Sequence, residues 1–373
     1  MRPLALSLAL AASFGFIHVD ADAKTFNVSP GVSIQKTIDN AEPGDRIQVY
    51  AGVYTEALEI TTDNIALVGV PFQGERPVIS GKLEVEVFDR AIAIGSDGVT
   101  VEGFVIRDFT EAAVVADNVS DVTVRDLVLH RTGSHGLRLD DIENAVLDGI
   151  VASENVNVGL HVTESTNVAI TNGRFTLSHI GILILECFDT LIENTDVYSN
   201  VVGILATSQP NPPKQEGDHL SIRYSRVVGN AGTAPELNEN ETAIPIRVPG
   251  GVGIAIVGSD NTSISDSVLH SNGSCAIATY AYPGAAAPEG EAAAESTSGI
   301  PDHTFTRNNT FVNNGGAPGD DFGAIFEGVA PGDLYWDGTG IRNQWQESTK
   351  LKTHPEGLVA EQGGVHTDVM HFL

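Results

Sequence analysis

The 373-residue sequence is poor in positive charge: 20 lysines and arginines stand against 49 acids, a net charge of −29. Phosphate recognition needs a basic surface, so nucleic-acid binding is excluded as its main business. Sulfur is almost absent. Cys187 and Cys275 are the only cysteines, which excludes a disulfide framework and a Cys-based zinc cluster. Aromatic residues make up 6% and charged residues only 18%. Apart from an N-terminal run, no stretch approaches the 18 apolar residues that a membrane-spanning helix needs.

What is abundant is the turn former. With 39 glycines, 17 prolines and so few charges, the chain reads as a turn-dense β protein rather than a disordered one. Arg2, the apolar run Leu4 to Ile17 and the small-x-small triplet Ala21-Asp22-Ala23 have the form of a secretory signal peptide. Residues 1–23 are therefore expected to be a cleaved leader, and the mature protein is expected to be secreted or periplasmic. No transmembrane segment is expected in the mature chain.

A repeat sets the fold. Gly followed by alternating apolar residues recurs at Gly136-Leu137-Arg138-Leu139, Gly159-Leu160-His161-Val162, Gly181-Ile182-Leu183-Ile184 and Gly203-Ile204-Leu205-Ala206, with spacings of 23, 22 and 22. Ala91 and Ala113 hold the same register earlier, and Gly253 and Ala276 hold it later. A second apolar run lies about ten residues on in each unit, and a third short run follows. Such units cannot bury an apolar face alone. Stacked coils can, because each strand pairs in parallel with those above and below. Polar corners such as Asp126, Asn172 and Asn194 suit left-handed backbone and amide ladders.

The expected fold is all-β: a single-stranded right-handed parallel β-helix of about 22–23 residues per coil, over residues 24–315. A short amphipathic helix at about 33–41 would cap its first coil. Residues 316–373 lack the repeat, carry Trp336 and Trp345, and are expected to pack on the stack as an irregular segment. Three insertions, 209–219, 231–251 and 280–303, are expected to wall a groove beside one face. Cys187 and Cys275 fall on coils far apart and are expected to be free thiols.

The segment from Thr25 through Pro43-Gly44-Asp45, Val49-Tyr50-Ala51-Gly52-Val53-Tyr54 and Ile65-Ala66-Leu67-Val68-Gly69 resembles the opening of a large pectin-lyase-like group. That group includes secreted β-helix repeat proteins, alginate C5-epimerases and periplasmic proteins that help load copper into nitrous-oxide reductase. The remainder, including Leu334-Tyr335-Trp336-Asp337-Gly338-Thr339-Gly340, is similar to parallel β-helix repeat proteins of unassigned activity. The resemblance implies the fold and leaves the activity open. Ser134-His135-Gly136 resembles the Gly-His-Gly element of polygalacturonases. The carboxylates and the Arg-Ile-Lys of that family are missing at Ala112-Ala113 and Leu160-His161-Val162, so inverting glycoside hydrolysis is rejected. Of the epimerase Asp-Pro-His-Asp signature only the fragment Pro301-Asp302-His303 is present.

Aligned coils place Ala93, Val115, Arg138, His161, Leu183, Leu205 and Ala255 in one outward column. Arg138 and His161 are its polar pair, on adjacent rungs. Asp140 lies two residues on, and His135 is a corner away. A lyase or epimerase acting at C5 of a uronic acid needs a base and a cation to neutralise the carboxylate. His161 as base and Arg138 as clamp, with Asp140 and His135 beside them, are the candidate catalytic residues, and a polysaccharide is the expected partner. A non-catalytic glycan-binding or scaffold β-helix is the alternative. A metal-handling accessory using His366, Met370 and His371 is a third reading. Calcium is the one cofactor entertained, through acids such as Glu186, Glu193 and Asp196, without a recognisable ligand spacing. Asp108, Arg131 and Glu154 alternate in sign on successive rungs, as an ion-pair ladder would.

Overall fold

The computed structural model describes residues 23–81, 88–210, 217–232, 248–282, 299–340, 342–347 and 351–358. Residues 1–22, most of the three insertions, and the tail bearing His366, Met370 and His371 lie outside these residues. No helix among the described residues is long and apolar enough to cross a membrane.

The described strands form one 21-stranded sheet and one 10-stranded sheet, and every ladder between them is parallel. Each coil gives two strands to the large sheet and a third, such as Val128–His130 or Asp196–Tyr198, to the small one. The register is that of the sequence repeat: Ile92, Val114, Leu137, Leu160, Ile182, Ile204, Ile254, Ile277 and Leu334 stack in one inward column. All are essentially inaccessible to solvent. Burying each such side chain contributes about 1.5–3 kcal/mol before chain entropy is subtracted.

The recurring glycines have a packing cause. A Cβ added at Gly159 would lie 2.6 Å from the Gly181 carbonyl oxygen, and one at Gly181 would lie 2.7 Å from that of Gly203. Successive coils therefore touch backbone to backbone here. The corners turn through left-handed residues, among them Asp126, Asn172 and Asn194, as expected. A second ladder is internal: Asn200 Nδ2 donates to Asn230 Oδ1 (3.2 Å), Asn230 to Asn272 (2.9 Å) and Asn272 to Asn314 (3.2 Å). All four asparagines are buried.

Helix Ile34–Ile38 buries Ile34 and Ile38 over the first coils. Its Ser33 N-cap accepts from the Lys36 N–H, and Glu56 accepts from the Ile34 and Gln35 N–H groups (3.0 and 3.1 Å). At the other end the stack continues past residue 315, where the sequence repeat becomes unreadable. Gly332–Trp336 pairs with Cys275–Tyr280, Gln344–Gln346 pairs with Phe305–Arg307, and Thr353–His354 pairs with Leu334 and Tyr335. Trp336 and Trp345 are 2% exposed, with ring centroids 5.0 Å apart, so they fill the core. Cys187 and Cys275 are free and buried. Arg131 and Asp108 form the expected ladder pair (3.1 Å).

Candidate functional site

The outer face of the first strands is not an open groove along its length. From Ile180 onward its outward residues are buried and mostly apolar: Ile180, Leu183, Val202, Leu205, Val252, Ala255 and Ala278 join Val248, Tyr282, Phe322 and Phe326 in a second hydrophobic layer. Segments after the strands and the short helix Phe322–Ile325 supply that cover. The candidate residues sit at the border where this layer begins.

Arg138 and His161 are register partners on adjacent strands, as are Asp140 and Thr163. The two imidazoles meet: His135 and His161 stack with centroids 5.3 Å apart and planes 20° apart. Each is shielded, at 5% and 7% exposure. His161 Nδ1 lies 3.3 Å from His135 Nε2, and His161 Nε2 lies 2.7 Å from Thr163 Oγ1. His135 Nδ1 lies 2.8 Å from Ser134 Oγ, which accepts from Asn157 Nδ2 (3.0 Å). These contacts link Asn157, Ser134, His135, His161 and Thr163 in one chain in which Asn157 Nδ2 donates to Ser134, and the tautomers of the two imidazoles set the direction of the other bonds. Burial lowers the basicity of both rings, and the Arg138 charge adds to it. His135 falls to about 4 and His161 to about 3, with the neighbouring His135 also lowering His161. Both are neutral near pH 7.

Arg138 is the charged member with spare capacity. Its side chain is about one-third exposed, its nearest ion-pair contact is Glu111 at 3.9 Å, and its Nε has no hydrogen-bond partner among the described residues. Glu111 is held more closely by Arg90 (3.0 Å). Asp140 lies beside Thr163 in the ladder and is partly buried. The site therefore differs from the sequence expectation in one respect. His161 does not face outward as a free base; both ring nitrogens are engaged, and Thr163 and Arg138 stand nearer to solvent. Ser134, Asn157 and Thr163 were not singled out as partners by the sequence. The 23-residue spacing of Ser134 and Asn157, one coil, is the signal that links them.

Around the corner, Asp97, Asn118, Asp141, Glu143 and Glu164 line a cleft of about 460 Å³. No group of three or more His, Cys, Asp or Glu among the described residues is placed to hold a metal ion. The acids considered for calcium have other partners: Glu193 pairs with Arg223 (3.1 Å) and Asp196 with Arg226 (3.4 Å). Glu186 accepts from the Ser208 hydroxyl (3.0 Å) and the Gln209 N–H (2.8 Å). Burial raises Glu186 to about 7.

Residues 112–284 match the family model described as right-handed β-helix region. The fold is a right-handed parallel β-helix. The structure is similar to the mannuronan C-5 epimerase A-module of Azotobacter vinelandii: 15% identity, TM-score 0.51, covering 81% of this chain and 88% of that one. It is similar also to alginate lyase from Paenibacillus sp. str. FPU-7, at 11% identity and TM-score 0.51 over 77% and 95% of the two chains. For the lacto-N-biosidase of Eubacterium ramulus the values are 12% and 0.53 over 77% and 60%. No curated protein matches the sequence. At these identities the likeness is one of backbone, and the backbone does not select an activity.

Proposed function

We propose that this β-helix engages an acidic polysaccharide across the outer face of its first strands, with Arg138 as the anchor for a sugar carboxylate. The observation that carries this is the guanidinium of Arg138, about one-third exposed, whose nearest carboxylate among the described residues, Glu111, is 3.9 Å away in a strongly acidic protein. A planar guanidinium binds a carboxylate through paired hydrogen bonds. The solved structures it resembles include an epimerase and a lyase of alginate-type polymers, which supports the ligand class. Export, as the N-terminal run implies, would place the protein where such polymers occur.

A catalytic form of the reading, a lyase or C5-epimerase, requires His161 as base; the ring is neutral near pH 7, but burial makes it a weak proton acceptor, so the bound sugar carboxylate must also raise its basicity. For His161 to take the C5 proton its Nε2 must be the unprotonated ring nitrogen, with the proton on Nδ1, and the sugar must displace the Thr163 hydroxyl from it. Incubating the mature protein with a panel of uronic-acid polymers, with and without calcium, tests both forms. Absorbance near 235 nm reports elimination, proton NMR of the polymer reports epimerisation, and calorimetry reports binding. Binding abolished by Arg138→Ala, with both chemical signals flat, establishes the anchor without catalysis. A chemical signal lost in His161→Ala as well establishes the enzyme. Binding unaffected by Arg138→Ala defeats the proposal.

A further inference from the structure

The small sheet carries an outward column that is valine on rung after rung: Val53, Val78, Val105, Val128 and Val151 are successive register partners. The next three rungs break the pattern with Arg174, Asp196 and Arg226, and Val268 then restores it. Valine is what a pleated outer face favours. Three charged residues in its place therefore need a reason. A charge ladder alone would have Asp196 pair with both neighbours. Asp196 instead pairs with Arg226 (3.4 Å), while Arg174 is exposed and has no ion pair among the described residues. The trio keeps one net positive charge within a protein of net charge −29.

Beside the trio, two residues along the same strand as Asp196, stands Tyr198, the aromatic side chain of a column otherwise occupied by Ser80, Arg107, His130, Ser153, Thr176, Val228, His270 and Val312. Its ring is part-exposed, and the four side chains line a shallow cleft of about 340 Å³. An aromatic face for the C–H side of a sugar, an acid for its hydroxyls and an unpaired guanidinium for a carboxylate form a complementary set. The geometry points to a second saccharide site on the small sheet, away from Arg138, that takes an acidic sugar residue. Tyr198 stacks on the ring, Arg174 holds the carboxylate, and the Asp196–Arg226 pair accepts and donates to hydroxyls. Arg174 and Arg226 lie two rungs apart, about 10 Å along the stack, which spans one sugar residue with its substituents.

The test is calorimetry of the mature Arg138→Ala protein with hexamers of galacturonate, mannuronate and guluronate, so that the anchor proposed above is already removed. At least one hexamer is expected to bind. Adding Arg174→Ser or Tyr198→Ala should weaken it at least tenfold, and Arg174→Lys should recover part of the loss. These side chains are on the surface, and unchanged circular dichroism confirms the fold. Equal affinity in the Arg174→Ser and Tyr198→Ala proteins overturns the site, as does the absence of binding by every hexamer. Displacement of the sugar by sulfate at equal concentration also overturns it, because it reveals a mere anion contact. Retained binding in Arg138→Ala with loss in Arg174→Ser upholds this site, whatever becomes of the first.

Discussion

Three side chains have consequences that a titration can read. His135 and His161 are neutral in the folded state and have ordinary basicity once unfolded. Below pH 6.5 the unfolded chain takes up protons that the folded chain refuses, down to about pH 4 for His135 and pH 3 for His161. Stability present above pH 6.5 is therefore lost as pH falls, by up to about 1.4 kcal/mol per pH unit for each ring. A His135→Phe/His161→Leu protein should show a flatter decline of denaturation midpoint between pH 6.5 and 4; an unchanged slope would contradict the assignment. Glu186 works in the opposite sense. Its folded value is raised above 4.5 to about 7, so the cost of ionising it appears as pH rises through that range. Glu186→Gln should raise the melting temperature at pH 8 and leave it little changed at pH 5.

At the scale of the element, the coil-to-coil contacts set the sensitivities. Gly181→Ala would press a methyl group against Val197 Cγ1 at 2.6 Å, Asn200 Nδ2 at 2.7 Å and the Gly203 carbonyl at 2.7 Å. Two of these neighbours are themselves fixed in ladders, so a loss of about 1–3 kcal/mol in urea unfolding is expected. The two asparagine ladders separate burial from periodicity. Asn230 accepts from the Asn200 N–H and Nδ2 and donates to the Val197 carbonyl, all away from solvent. Asn230→Ala should cost about 1–3 kcal/mol or more, because those groups are left unpaired. Asn167 bonds Asn144 at 2.7 Å on the surface, and Asn167→Gly, which keeps its left-handed backbone (φ 56°), should cost well under 1 kcal/mol. Equal losses at the two positions would show that periodicity, not burial, governs the ladder.

For the whole molecule, the charge is the dominant constraint. At net −29, binding of a polyanion must overcome long-range repulsion, which salt screens. Affinity for an acidic polymer at Arg138 is accordingly expected to rise as ionic strength goes from about 10 to 100 mM, as the Debye length shrinks from about 30 to 10 Å, before local contacts weaken. Calorimetry across that range checks it. A monotonic fall from the lowest salt would mean that a local basic field outweighs the net charge. The stacked fold also makes the outer faces separate territories. The first-strand face is buried under its second apolar layer beyond His161, which would confine the proposed ligand to the part around Arg138.

The repeat and its register, marked by Gly159, Gly181 and Gly203, followed from the sequence alone, because a coil of fixed length repeats its demands at fixed spacing; the backbone approach at those glycines came with the structure. The meeting of Arg138 with His161 also followed from the sequence, since register partners are one coil apart. The folding of later segments back over Leu183 and Leu205 was not legible: a column of outward leucines looks like a bare surface until something distant in sequence lies on it. For the same reason the sequence left His161 exposed, whereas stacking on His135 and bonding to Thr163 enclose it. Past residue 315 the spacing loses its period while the pairing persists, because Trp336 and Trp345 fill the coil that smaller residues fill elsewhere. Periodicity determined which residues share a column; only the tertiary structure decided which columns remain in contact with water.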